Sequence, residues 1–211
     1  MPSPSILPLG DAAILVRFAE TLSDEANRLA IDFAARLGAD TPEWVEEIAP
    51  GLVSVLVRTR PGTDFWRISG ELRLRVRGHV PRQSAAGRTI AMAFDGEDLA
   101  EVAALIGLTE AQFVTKHNAS PLRVLATGFA PGFVYCGFHP DALVVPRRES
   151  VRAMVPAGTV LFAAGQTAIA ATPIRTGWHV IGRTMFQNFD PSADPPTILK
   201  AGDSIRFEAL A

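Results

Sequence analysis

A single cysteine, Cys136, among 211 residues excludes an intramolecular disulfide and a cysteine-built zinc site. A formal net charge of −2 gives no electrostatic reason to expect nucleic acid or an anionic membrane as partner. No stretch approaches the roughly 20 consecutive apolar residues of a membrane span. The N-terminal MPSPSILPLGDAAILVRF lacks a basic leader, and Pro8 and Asp11 interrupt its apolar run, unlike a secretory signal. A reducing, cytoplasmic setting is expected. Common catalytic and phosphate-binding strings, GxxxxGK[ST], GxGxxG after a strand, GxSxG and HExxH, are also missing. The four histidines, His79, His117, His139 and His179, never stand at metal-ligand spacing, so no metal site is expected.

What is present is a globular composition, 48% hydrophobic and 20% charged, long enough for one large domain or two small ones. The first half alternates strand and helix signals. AAILVRF (12–18) suits a buried strand. The segment 23–38 reads as a helix with Ser23 as N-cap, acids in its first turn and Gly38 at its stop. Residues 44–60 read as two strands around a Pro-Gly turn. FWRISGELRLRV (65–76) keeps helical spacing through Phe65, Ile68, Leu72 and Val76, although Leu72, Leu74 and Val76 also alternate like a strand. RTIAMAF (88–94) closes a β-α-β-β-α-β series, which predicts a ferredoxin-like layer over residues 1–95. Two short helices follow as a connection over 96–120, the second opened by a Thr109–Gln112 capping box. From 121 to 211, short β-branched runs between glycines and prolines predict an all-β barrel or sandwich, with a turn at VPAG (155–158). The fold class expected is α+β.

Several side chains invite chemistry. GFAPGFVYCGF (128–138) is too glycine-rich for a helix, and Pro131 would break a central strand. Its rings either floor a binding site or plug the barrel and cement an interface. Cys136 reads as a buried structural thiol rather than a nucleophile, since nothing in the sequence supplies a base. Arg147, Arg148 and Arg152 follow a proline turn, and Arg183 ends a run after Trp178. Such arginines bind carboxylates or phosphates bidentately, or simply end strands in solvent. Gln166 can donate and accept, which suits amide or lactam recognition, or can satisfy backbone at a bulge. On spacing alone, His117 is a cation at a helix C-terminus.

The ordered motifs GFxPGF, LxxPRR, VPAGxV, GQT, GW, IGRT and FD, with the closing turn AGDSIRF and the upstream stretch DLAEVAALIGLTEAQFVTKH, resemble the KipI-type family. That family includes the B-type subunit of 5-oxoprolinase and proteins labelled allophanate hydrolase subunit 1 or carboxyltransferase subdomains C and D. The resemblance implies a ferredoxin-like N-terminal domain followed by a cyclophilin-like β-barrel. It implies a KipA-type partner (the C-type component of 5-oxoprolinase), a third component of A type, and opening of the 5-oxoproline lactam to glutamate with ATP and Mg. It further implies catalytic roles for His117, Arg147 and Gln166. Substrate contacts would come from Phe129, Pro131, Phe133 and Thr167, joined by Arg175, Trp178 and Arg183. Family members also suggest a non-catalytic inhibitor of a sensor histidine kinase, or a carboxyltransferase-related component acting on a urea-like compound. No biotin-attachment motif is present. After Gln166-Thr167 the string AIAATPIRTGW departs from the family pattern, with Ala168, Ala170 and Ala171 replacing glycine, tyrosine and proline. Ligand choice is expected to reside there.

Overall fold

The computed structural model describes residues 4–76 and 87–210. The chain divides into two compact units, one within Met1–Gln83 and one within Ser84–Ala211, both of mixed α and β structure. His79 lies outside the described residues.

The first unit runs β1 (Ser5–Pro8), β2 (Ala13–Arg17), α1 (Asp24–Ala39), β3 (Val45–Pro50), β4 (Ser54–Thr59) and α2 (Phe65–Val76). Ser23 caps α1 by accepting a hydrogen bond from the Ala26 backbone N–H, and the helix runs one residue past Gly38. The helical spacing in 65–76 prevails over the strand alternation, because Ile68 and Leu72 bury one stripe against the sheet while Leu74 stays exposed. Phe33 and Leu37 of α1 join them over Ile14, Val16, Val55 and Val57.

The four-stranded sheet has the order β1-β2-β4-β3 and every pairing is antiparallel. β2, α1 and β3 therefore form a split β-α-β unit with β4 between the strands. The edge beside β2 is taken by β1, not by the 88–94 strand expected to close this layer. Pro8 is tolerated at the end of this edge strand, where no ladder donor is needed.

That displaced strand, β5 (Gly87–Met92), belongs to the second unit. There it is followed by α3 (Leu99–Leu105), α4 (Glu110–His117), β6 (Leu122–Thr127), β7 (Val134–Gly137) and β8 (Arg152–Val155). The remaining strands are β9 (Thr159–Ala163), β10 (Gln166–Ile169), β11 (Ile174–Thr176), β12 (His179–Arg183) and β13 (Ser204–Ala209). Seven of these strands form one sheet in the order β12-β9-β10-β7-β6-β13-β5. β13 pairs in parallel with β5 and antiparallel with β6. The helices read as a connection over 96–120 pack within this unit too, α3 contributing Leu99 and Val102 and α4 contributing Phe113 to its core.

The two edges of the sheet meet. Ala93, just past β5, bridges Arg183 at the end of β12 through reciprocal backbone hydrogen bonds of 2.9 and 3.0 Å. The sheet is thereby curled into a half-barrel whose two edges are joined at this one bridge. Close approach at this seam depends on missing side chains: a Cβ on Gly182 would run into the Ala93 carbonyl oxygen, and one on Gly96 into the backbone of Val180 and Ile181.

Alternation along the strands sends residues to two faces. Val134, Cys136, Val160, Phe162 and Ile169 pack in the interior. Phe133, Leu161, Ala163, Ala168 and Ala170 point outward and are covered by Trp178 and by the β8–β11 ribbon through Val155 and Ile174. No described helix is long and apolar enough to cross a membrane.

Candidate functional site

The glycine-rich loop ahead of β7 is built as a scaffold. The Gly128 N–H donates to the Phe133 carbonyl and the Phe133 N–H to that of Ala130, so the chain doubles back tightly. Gly132 sits at φ +67°, where a Cβ would lie 2.5 Å from Cβ of Phe189. The chain's own segment approaches closely there, and Asn188 fixes it by donating to the Gly132 carbonyl at 2.8 Å. Pro131 is exposed at the tip. Phe129, also left-handed at φ 77°, holds its ring 74% exposed, edge-on to Phe133.

β10 carries the two most informative side chains, and its pleat separates them. Thr167 and Gln166 are consecutive, so they face opposite sides of the sheet instead of sharing one site.

Thr167 points inward, and two histidines converge on its hydroxyl. Nε2 of His117, from the C-terminal end of α4, lies 2.8 Å from Oγ1, and so does Nε2 of His139, from the loop after β7. Nδ1 of His117 lies 2.7 Å from Oδ1 of Asn118. The amide oxygen can only accept, so Nδ1 of His117 carries the proton and Nε2 is bare. The Thr167 hydroxyl therefore donates to His117 and accepts from Nε2–H of His139. Both imidazoles are buried among Phe94, Phe113, Phe162 and Phe207. Burial pulls His117 down to about 4. Burial and then the neighbouring His117 pull His139 to about 3. Both rings are neutral near pH 7, so His117 does not act as the helix-terminus cation its spacing suggested.

Gln166 points outward over Gly137, where a Cβ would come 3.5 Å from its Cγ. The residue is only 7% exposed and its Oε1 has no hydrogen-bond partner among the described residues. Two residues on, Ala168 stands opposite Tyr135, so Tyr135 and Gln166 share this face. Tyr135 packs edge-on to Phe133 at 4.8 Å and to Trp178 at 6.0 Å. The guanidinium of Arg147 lies 5.7 Å from the Trp178 ring centroid, within cation–π range. Burial raises the Tyr135 phenol above its ordinary value, and the Arg147 charge pulls it part of the way back. Phe133, Tyr135, Trp178 and Arg147 thus form one contact chain on the outer face, and Gln166 lies on that same face of the sheet. A cation over an aromatic ring suits a ligand bearing a negative charge, and an unsatisfied acceptor on the same face suits one bearing an N–H.

The other arginines are engaged elsewhere. Arg148 and Arg152 are both held by Asp98, at 2.6 and 2.9 Å. Arg183 pairs with Asp95 at 2.8 Å beside the barrel seam, and Arg175 is exposed in mid-β11 between buried Ile174 and Thr176. Cys136 is fully buried, and burial drives its thiol pKa far above the ordinary range. No three His, Cys, Asp or Glu side chains gather among the described residues. Arg148 and Arg152 are already neutralised, and Thr109 occupies the N-terminal donor of α4.

Sequence reasoning singled out Gln166, Thr167, Arg147 and His117 and did not single out His139, Tyr135 or Asp98, which the structure places in contact with Thr167, Trp178 and the two arginines Arg148 and Arg152. No spacing rule marks them, since their partners stand 28 to 54 residues away or across a sheet.

Residues 4–199 match the family model described as carboxyltransferase domain, subdomain C and D. The chain is 29% identical over 220 residues to the 5-oxoprolinase B subunit of Bacillus subtilis, spanning 96% of this chain and 91% of that protein. It is 45% identical over 112 residues to the 5-oxoprolinase B subunit of Escherichia coli O157:H7, a match spanning 53% of this chain and about half of that protein, 51%. Among solved structures, TTHA0988 superimposes with a TM-score of 0.82 and 31% identity, covering 94% of this chain and 40% of that longer one.

Proposed function

We propose that this chain, which belongs to the carboxyltransferase domain, subdomain C and D family, is the B-type subunit of a complex that hydrolyses a cyclic amide acid of the 5-oxoproline class. Relatives named as the B-type subunit of 5-oxoprolinase, matching over 96% of the chain, support the reading. The observation that carries it is the buried Oε1 of Gln166, which has no hydrogen-bond partner among the described residues and lies on the same sheet face as Tyr135, the ring that packs against Trp178. A lactam N–H would donate to that oxygen and relieve the cost of an unpaired buried acceptor. The ligand's ring would lie against Tyr135 and Trp178.

His117 acts through Thr167. Two neutral imidazoles fix the Thr167 hydroxyl on one side of β10 and so hold Gln166 in place on the other, which makes His117 and His139 positioning residues. ATP with Mg, implied by the resemblance, would be bound with a partner. The partners are a KipA-type protein of C type and a third protein of A type, in the cytoplasm. We read the barrel as the cyclophilin-like domain and the first unit as a ferredoxin-like layer whose edge is supplied by β1.

The test is to purify the chain with its C-type and A-type partners and measure 5-oxoproline-dependent ATP hydrolysis and glutamate release. Gln166→Leu should keep complex formation while lowering kcat/KM roughly 10- to 100-fold, the loss of one desolvated hydrogen bond. A wild-type complex whose ATP hydrolysis ignores 5-oxoproline sinks the reading.

A further inference from the structure

The segment Pro146–Arg152 is fastened at several points. Nε2–H of His179 donates to the Pro146 carbonyl at 3.1 Å, and the Arg148 N–H donates to the Gly177 carbonyl at 2.8 Å. Beyond them, Asp98 grips two side chains. Its Oδ1 accepts from Nη1 of Arg148 at 2.6 Å, and both of its oxygens accept from Nη2 of Arg152 at 2.9 Å. Asp98 stands at the N-cap position of α3 yet makes no side-chain cap. Its Oδ2 accepts instead from the Val180 N–H at 2.7 Å, while its own backbone N–H donates to the Val180 carbonyl at 3.0 Å. A carboxylate only 5% exposed is thus spent on holding a loop to the strand that follows Trp178.

Arg147 lies between the two fastened residues Pro146 and Arg148. Its own guanidinium has no ion-pair partner among the described residues, and it rests over Trp178. Of the three arginines in the segment, two share the buried Asp98 carboxylate, with Glu101 and Glu97 paired on their exposed sides, and the third is left without an ion-pair partner among the described residues. An arginine left unpaired on an aromatic face is pre-organised to take a planar anion bidentately. Gln166, with its orphaned Oε1 on the same face, supplies an acceptor for an adjacent N–H.

We propose that Asp98 is a positioning residue whose clamp on Arg148 and Arg152 presents Arg147 over Trp178 and Tyr135 as the receptor for the carboxylate of a small cyclic amide acid. The ligand class rests on the function proposed above, whereas the clamp does not.

Tyr135 is the chain's one tyrosine, so its titration reads the placement of Arg147 without any ligand. With 3-fluorotyrosine incorporated, Arg147→Ala should raise the phenol pKa, because a nearby positive charge that favours the phenolate is lost. Asp98→Asn should raise it in the same direction, and adding Asp98→Asn to Arg147→Ala should raise it no further. Arg148→Met, which removes one arm of the clamp, supplies the same comparison where Asp98→Asn does not fold. In the assembled complex, Asp98→Asn should raise KM for 5-oxoproline about tenfold with kcat little changed, while KM for the corresponding carboxamide stays put. A folded Asp98→Asn or Arg148→Met chain with an unmoved Tyr135 titration overturns the proposal. So does an equal rise in KM for acid and carboxamide. A wild-type complex inert to 5-oxoproline would refute the proposed function but leave the clamp to be judged by the Tyr135 titration. The carboxylate receptor would then be judged by whether proline and cyclopentanecarboxylate, but not their carboxamides, shift the fluorine resonance of the wild-type chain and not of Arg147→Ala.

Discussion

The Thr167 hydroxyl on β10 and Nε2 of His117 on α4 lie 2.8 Å apart across 50 residues of sequence, and His139 completes the contact from the other side. One hydroxyl satisfies two buried rings. Thr167→Val keeps the volume but strands both Nε2 atoms, and should cost about 2–4 kcal/mol. Thr167→Ser keeps the hydroxyl and removes a methyl, for about 1 kcal/mol. Urea unfolding of both variants decides the matter, and a valine variant as stable as the serine one refutes the network.

The same pair sets a pH dependence. Each imidazole has an ordinary value of 6.5, lowered in the fold to about 4 for His117 and about 3 for His139. Below pH 6.5 the unfolded chain binds protons that the folded chain refuses, so this contribution to stability is whole above 6.5. It falls with pH until His117 titrates near 4 and His139 near 3. Each histidine contributes a slope of about 1.4 kcal/mol per pH unit across its window. Unfolding free energies measured from pH 7 to 4.5 should fall accordingly, and His139→Gln should flatten the profile by one proton. An unchanged slope in that variant contradicts the assignment.

Gly182 and Arg183 are neighbours with unequal consequences. Gly182→Ala forces a Cβ against the Ala93 carbonyl at the barrel seam and should destabilise by about 2–4 kcal/mol, as overpacking against backbone does. Arg183→Ala removes an exposed pair with Asp95 and should change stability by less than about 0.5 kcal/mol. Thermal melts of the two variants side by side test the seam, and equal effects would count against it.

Cys136 faces the barrel interior between Val124 and Thr167. With the thiol fully buried and its ionisation suppressed, an aromatic disulfide reagent at pH 8 should modify it only as fast as the barrel opens. Labelling of the native chain at the rate of a free thiol would show that this interior is accessible.

How much of this was legible in the sequence follows from the range of the interactions. The capping side chains of α1 and α4 act within three residues, and Ser23, Thr109 and Gln112 announced them. The strand at 88–94 was equally visible, yet its partner lies at 204–209. Local pattern is silent on pairing that distant, so the strand was placed in the wrong sheet. Gln166 and Thr167 were singled out together as a motif. Their separation onto two faces follows because Gln166 and Thr167 open a strand, whose consecutive side chains alternate. His139 and Asp98 carry no local sign, because each matters only through a residue on another element.

The position of β13 between β5 and β6 bears on how the chain is made. A ribosome delivers β5 and β6 early and their common neighbour after every other strand of the barrel. Until 204–209 emerge, both strands present open backbone edges to whatever else is in reach. The barrel therefore cannot be finished from its N-terminal side. A nascent chain stalled before β13 should be the form most prone to capture by chaperones or by other unfinished copies of itself.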